Sequence, residues 1–216
     1  MPSSGRYHGL VTRAHRRSPL ALAILSLLKV EPMHPYRMQQ LIKKWGKDEV
    51  INVEPRASLY KMIERLRNTG LIAVLGTERD SQWPERTVYE LTEHGDEVAM
   101  EWLRDMLSHP RKSFAEFPAA VSFIPLLEPD EVITRLEARS AWLRAETDRL
   151  AAMIDASAPT VPAVSLLDTE YLLAVTGVEA RWVDSVLAEL RAGRLTWTQE
   201  GLREVTESAA RGHTTR

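Results

Sequence analysis

The segment from Pro55 to Gly70 holds the side chains whose types and spacing suit a definite chemistry. Leu59, Met62, Ile63 and Leu66 recur at i, i+3, i+4 and i+7, so they share one face of a helix turning about 100° per residue. Ala57, Lys61, Glu64 and Asn68 then point the opposite way, flanked by Ser58, Tyr60 and Arg65. Hydroxyls, an ammonium and guanidinia on one outward face can hydrogen-bond to base edges and neutralise phosphates. Ala57, Ser58, Tyr60 and Lys61, near the helix start, are candidates for the major groove, which admits one α-helix. Arg56 and Arg65 are candidates for phosphates. A solvated helix face would also show a charged stripe, so the next segment of the chain has to decide. There the period switches to two, at Leu71 to Leu75 and again at Thr87 to Leu91, with a polar loop from Gly76 to Arg86 between. That loop carries Arg79, Gln82, Trp83 and Arg86, the cations placed for phosphate or minor groove. Trp83 is expected to fold back on its own hairpin.

Other chemistries find little support. The six histidines, at 8, 15, 34, 94, 109 and 213, form no metal-spaced pair. There is no cysteine, hence no disulfide, thiol nucleophile or thiolate metal site. No nucleophile elbow or glycine-rich phosphate loop occurs. The chain is therefore expected to be no enzyme and to need no cofactor or metal. Arg16-Arg17 before the apolar run Leu20 to Leu28 superficially has the form of an export signal. The run is short, Lys29 closes it, and no small-residue cleavage site comes after it, so a buried first helix and a cytoplasmic, nucleoid-associated protein with no membrane contact are expected.

The elements that position the outward face can be read from caps and periodicity. Net charge over 216 residues is −2, yet residues 1–70 hold 13 Lys/Arg against 5 Asp/Glu and the remaining 146 hold 15 against 25. One end suits a polyanion and the other does not. Residues 1–17, with four arginines and no acid, read as a flexible basic arm that touches DNA. Ser18-Pro19 starts a helix over about 19–30. Pro35 opens a second, with Met38, Leu41, Ile42 and Trp45 as its core stripe, and His34 helps begin it. Val50 to Val53 reads as a minor strand. Thr92 caps a helix to about Ser108. Three helices, a hairpin and a helix make a winged helix-turn-helix over 18–108.

Residues 109–128 read as a connecting helical segment, with a capping box at Ser113 to Glu116. A dimerisation domain of long helices spans 129–193 and a tail 194–216. Its first helix runs from Pro129 to about Asp155, with Ile133, Leu136, Leu143, Leu150 and Ile154 at heptad spacing and Ser140 and Thr147 in the gaps. Val132, Trp142 and Met153 lie off that seam. After a linker over 156–165, a last helix runs to about Ala192 with Leu172, Val175, Trp182, Val183, Val186, Leu187 and Leu190 as its stripe. Folding back of the last helix on the seam can bury one stripe within the chain. The last helix is apolar on a broad arc, however, and two such helices carry more apolar surface than that one contact covers, which predicts a second subunit. The fold class is thus mainly α: an N-terminal winged helix-turn-helix with a two-stranded wing, plus a C-terminal long-helix domain.

Pro35-Tyr36, Ser58-Leu59-Tyr60, Arg65-Leu66, Gly70-Leu71-Ile72 and Tyr89 to Gly95 together resemble the PadR family of bacterial transcriptional regulators. The segments "FPAAVSFIPLL" and "AGRLTW" are similar to the C-terminal helical domain of its longer subfamily. Ala57 stands where that family usually has Gly, and Ser81 to Pro84 where many members have a Gly-Arg turn. The resemblance implies a homodimer joined through its C-terminal helices, a roughly palindromic duplex operator, and often repression relieved by a small molecule. It adds Tyr36 to the DNA-binding candidates. It also implies that the helix bearing Trp102 and Met106 can line a cavity for a small aromatic effector, the plainer reading being packing against the C-terminal helices. The rival function is a winged helix that acts through protein partners only, which predicts an apolar or acidic outward face on the third helix.

Overall fold

Ser18 and Pro19 open the first helix as their chemistry dictates. The Ser18 hydroxyl accepts the Ala21 amide at 3.2 Å, and Pro19 fills the first turn, where a missing N–H costs nothing. The computed structural model describes residues 17–80, 83–112, 114–198 and 200–201. It divides into two compact units, Met1–Arg111 and Lys112–Arg216. The first contains α1 (Pro19–Val30), α2 (Pro35–Lys44), α3 (Arg56–Asn68), β1 (Ile72–Asp80), β2 (Trp83–Leu91) and α4 (Glu93–Ser108). This is the winged helix-turn-helix expected from the sequence.

One core joins these elements. Ile24, Leu25 and Leu28 from α1 meet Met38 and Ile42 from α2, and Leu59, Ile63 and Leu66 from α3. Ile72 enters from β1, and Val98, Ala99 and Trp102 from α4. α2 starts on His34, whose Nδ1 accepts the Arg37 amide at 3.1 Å. It ends before Gly46, whose φ of 65° is the left-handed geometry that glycine adopts freely. Trp45 departs from the expected stripe: it is 51% exposed. With Val50 and Ile51 it borders an apolar hollow of about 600 Å³ beside α1. Nor do Val50 to Val53 form a strand. Lys47–Glu49 make a 3-10 turn, and Val53 is buried as a loop residue because the Gln39 side chain donates Nε2 to its carbonyl at 2.9 Å.

The wing is longer than the periodicity indicates. The stretch read as a loop from Gly76 to Arg86 continues the ladder, pairing Gly76 with Val88, Thr77 with Thr87 and Glu78 with Arg86. Leu75 is an extra residue between the Val74 and Gly76 pairs, a bulge that bends the strand. Met33 adds one further bridge by exchanging both backbone hydrogen bonds with Tyr89, each at 3.1 Å. At the base of the hairpin, the Thr92 hydroxyl accepts the Gly95 amide at 2.9 Å and caps α4. Gly95 lies so close to the Leu71 carbonyl that a Cβ there would sit 2.0 Å from its oxygen, so no other residue fits unstrained.

In the second unit, α5 (Glu116–Val121) precedes α6 (Pro129–Ser157) and α7 (Leu167–Arg191). The expected capping box is displaced: Ala115 holds the cap position of α5 without a side-chain bond, and Ser113 lies outside the described residues. α6 and α7 pack together over Val132, Leu136, Leu143, Val183, Leu187 and Leu190. Leu136 and Leu143 of the α6 seam, with Ile133 partly buried beside them, are thus covered by α7 of the same chain, the intramolecular contact that the sequence allows. Val132, read as off the seam, belongs to this core, because the buried face begins one residue before Ile133. Phe117 and Ile124 of the connecting segment pack on the same core, as does Trp197 beyond α7, whose Nε1 donates to the Leu127 carbonyl at 2.9 Å. Ser140 is buried on the α6 face and donates to Asp184 at 2.6 Å. Val175 and Trp182, expected in the stripe of α7, are exposed on its other side.

Candidate nucleic-acid interface

α3 presents the face that its spacing implies. Leu59, Ile63 and Leu66 are buried, while Arg56, Ala57, Ser58, Lys61 and Glu64 are exposed and Tyr60 is 54% exposed. The loop entering α3 is held by Asn52, whose Oδ1 accepts the Glu54 amide at 3.3 Å, and by Lys43, whose Nζ donates to Glu54 at 2.8 Å. That hydrogen bond holds the Glu54 carboxyl below its ordinary pKa and raises the Lys43 ammonium. Glu54 is thus engaged with Lys43 beside the start of α3, where a lone carboxylate would repel phosphate. Pro55 occupies the cap position and makes no side-chain bond to the first turn. A helix start of this kind, with the positive end of its dipole outward, favours an anion.

Arg65 departs from this group. It is half-buried and borders a different hollow, with Arg17 and Arg111, rather than sharing the outward stripe with Lys61. Arg17, expected in the flexible arm, is packed against the body instead: its side chain is 8% exposed and ion-paired with Asp105. Residues 1–16 lie outside the described residues, as does Gln82, and the side chains of Arg79 and Trp83 are likewise outside them.

The base of the wing contributes a second cationic point. Arg86 on β2 holds its guanidinium 5.6 Å from the centre of the Tyr36 ring, and Tyr36 stacks on His34 with ring centres 6.2 Å apart. His34 Nδ1 accepts a backbone amide, so the neutral ring carries its proton on Nε2. Arg86 Nη1 lies 3.4 Å from that nitrogen, at the edge of the ring. Two aromatic rings thus back the guanidinium at the start of α2. The sequence marked Tyr36 and Arg86 separately. It did not show His34 as their support, because the contact spans 52 positions and no local spacing signals it.

The structure separates the two residues considered for an aromatic effector. Trp102 is 7% exposed within the N-terminal core, so its ring is occupied by neighbours from its own unit. Met106 is half-buried and borders both hollows at α1. Among the described residues, no helix is long and apolar enough to cross a membrane.

Residues 24–101, from within α1 to within α4, match the family described as the transcriptional regulator PadR-like family. No curated protein sequence matches the chain. Among solved structures, it is similar to Bacillus subtilis PadR in complex with operator DNA, with a TM-score of 0.66 and 20% identity over 80% of this chain and 99% of that one. It is similar to the same organism's PadR in complex with p-coumaric acid, with a TM-score of 0.63 and 20% identity over 80% and 98%. The Vibrio cholerae virulence activator AphA gives a TM-score of 0.60 and 18% identity over 80% and 98%. At these identities the structural likeness is one of fold, and the sequence match over 24–101 carries the assignment. The winged helix of this chain, over residues 24–101, is that of the PadR-like family of transcriptional regulators.

Proposed function

We propose that the protein binds duplex DNA in a sequence-specific way, as a homodimer that represses its targets until a small molecule relieves it. The observation that carries the DNA reading is the outward face of α3. Arg56, Ser58, Tyr60 and Lys61 are exposed together there, beside a hairpin whose Arg86 is backed by Tyr36 and His34. Ala57, Ser58, Tyr60 and Lys61 read base edges; Arg56, Arg86, Tyr36 and the Arg79–Gln82 region of the wing engage backbone. A protein-only winged helix would present an apolar or acidic surface at this place.

Dimerisation is supported by the apolar surface that α7 keeps beyond its contact with α6. With the α6 seam filled, α7 exposes Tyr171, Val175, Val178 and Trp182 at four-, three- and four-residue spacing. This is a second heptad stripe, bordering an open apolar hollow of about 920 Å³ together with Phe117. A second copy covering it would give a two-fold dimer and a roughly palindromic operator. Bacillus subtilis PadR in complex with p-coumaric acid supports a small organic acid as a ligand of this fold. The test is binding of the full chain to genomic and random duplexes by fluorescence anisotropy across salt concentrations. A steep loss with salt and a clear preference for particular genomic sites are expected. Equal affinity for random and genomic DNA throughout would refute the reading.

A further inference from the structure

Arg139 on α6 and Glu179 on α7 form an ion pair at the open hollow of about 920 Å³ in the second unit. Arg139 Nε donates to Glu179 at 2.7 Å, and both side chains are half-buried. The same guanidinium lies 3.5 Å from the centre of the Phe117 ring. Phe117 in turn meets Trp182 edge to face, with ring centres 5.8 Å apart and planes at 83°. One charged pair thus fixes an aromatic ring from α5, and that ring braces a second one on α7. The walls are set before anything enters, which is the condition for a site formed in advance.

The rest of the lining is apolar and open. Trp182 is 43% exposed and Tyr171 67%, and from Tyr171 to Ala188 the exposed face of α7 holds a single charge, Arg181. Small-molecule sites of about 300–1,000 Å³ are lined in this way, by aromatic and aliphatic side chains with a few polar groups. Those polar groups decide what fits. Arg139 and Glu179 are engaged with each other, and Glu116 stands exposed in the first turn of α5. The lining therefore carries one cation against two carboxylates. A carboxylate ligand would have to detach Arg139 from Glu179, and so from its place on Phe117, while approaching Glu116.

We propose that this hollow binds a flat aromatic molecule without negative charge, stacked against Trp182 and Tyr171. The proposal deepens, and rests on, the reading of a homodimer relieved by a small molecule. Its ligand differs from an organic acid because the charges of this hollow differ from those an acid needs. Tyr171, Val175, Val178 and Trp182 are also the stripe offered to a second copy. Ligand and second copy therefore compete for one surface, and binding releases the dimer. A dimer that comes apart loses its paired grip on a palindromic operator.

The experiment uses the full chain and three probes of one shape: 2-naphthol, uncharged at pH 7, 2-naphthylmethylammonium and 2-naphthoate. Affinity is read by calorimetry and self-association by sedimentation. The uncharged and cationic probes should bind with submillimolar affinity, and 2-naphthoate at least tenfold more weakly. Trp182→Ala should weaken 2-naphthol at least tenfold. Tyr171→Ala, at a more exposed side chain, repeats that test if Trp182→Ala does not fold. Glu179→Gln frees the Arg139 fork, so it should strengthen 2-naphthoate at least tenfold and leave 2-naphthol within threefold, a reversal that loss of packing alone would not give. 2-Naphthol should also lower the dimer fraction. The proposal is overturned by no binding of 2-naphthol, by 2-naphthoate binding the parent chain as tightly, by unchanged affinity in the aromatic variants, by no gain of 2-naphthoate in Glu179→Gln, or by a dimer that 2-naphthol leaves intact. A parent chain that is monomeric at every concentration would instead overturn the homodimer reading, while the calorimetry still decides the site.

Discussion

Replacing Gly95 by alanine puts a methyl group where the Leu71 carbonyl already lies. The added Cβ would sit 2.0 Å from the Leu71 oxygen, 2.9 Å from its carbon and 2.9 Å from Leu91 Cδ1. Two of these atoms are backbone and cannot swing aside, so α4 must move off the start of β1. Overpacking of this kind costs about 1–3 kcal/mol, and a rigid obstacle puts it at the upper end. The displacement also breaks the Thr92 cap, whose hydroxyl both accepts the Gly95 amide and donates to the Gly70 and Leu71 carbonyls; such a cap contributes ~1 kcal/mol. Against this, alanine gains ~1 kcal/mol of helix propensity over glycine. The net is a loss of about 3 kcal/mol, near a hundredfold in the opening equilibrium. Residue-resolved hydrogen exchange on the full chain reads this directly, as faster exchange of the α4 and β1 amides. Gly76→Ala is the control, since nothing lies within 4 Å of a Cβ there. Less than threefold faster exchange in Gly95→Ala, or equal effects at the two glycines, would refute the packing argument.

Lys61→Ala should cost about 1–3 kcal/mol on the preferred site and flatten discrimination among sites, as competition binding against a duplex library would show. Arg56→Ala should instead weaken all duplexes alike and lower the salt slope by about one, read from anisotropy at several salt concentrations. Val178→Asp, in the exposed stripe of α7, should give a folded monomer in sedimentation experiments where the parent chain is a dimer. The Asp184 carboxyl is held below its ordinary pKa, first by the Ser140 hydroxyl and then by Arg144, so its charge stabilises the fold above the unfolded pKa of about 3.9 and stops doing so as pH falls through the folded value. The melting temperature of Asp184→Asn should therefore lie below the parent's at pH 7, and the gap should close in acid.

Helices were legible where their signals are local. Ser18, His34 and Thr92 cap within three residues, and the buried stripe of α3 is complete within two turns. The length of the wing was not legible, because Thr77, Thr87 and Arg86 are polar and are held in the ladder by cross-strand pairing, which leaves no apolar alternation in the sequence. Val53 misled for the opposite reason: it is apolar and buried, yet a glutamine from α2 satisfies its carbonyl in place of a neighbouring strand. Which apolar stripe meets which is a tertiary choice. Heptad spacing made α6 look unfinished, while α7 had two stripes, one for α6 and one still exposed. At the candidate interface the outward residues of α3 could be named from rotation alone. The positions of Arg17 and Arg65, and the support of Arg86 by His34, depend on segments that meet only after folding.

The double hydrogen bond between Met33 and Tyr89 sits two residues before α2 begins and two before β2 ends. It fastens the hairpin to the approach of the helix-turn-helix by backbone, which no substitution other than proline removes. The wing is therefore the second jaw of a fixed caliper, α3 being the first. A caliper of set opening responds to groove width as well as to base identity. Duplexes that are too narrow or too wide at the right distance from a matching sequence should be rejected by geometry alone.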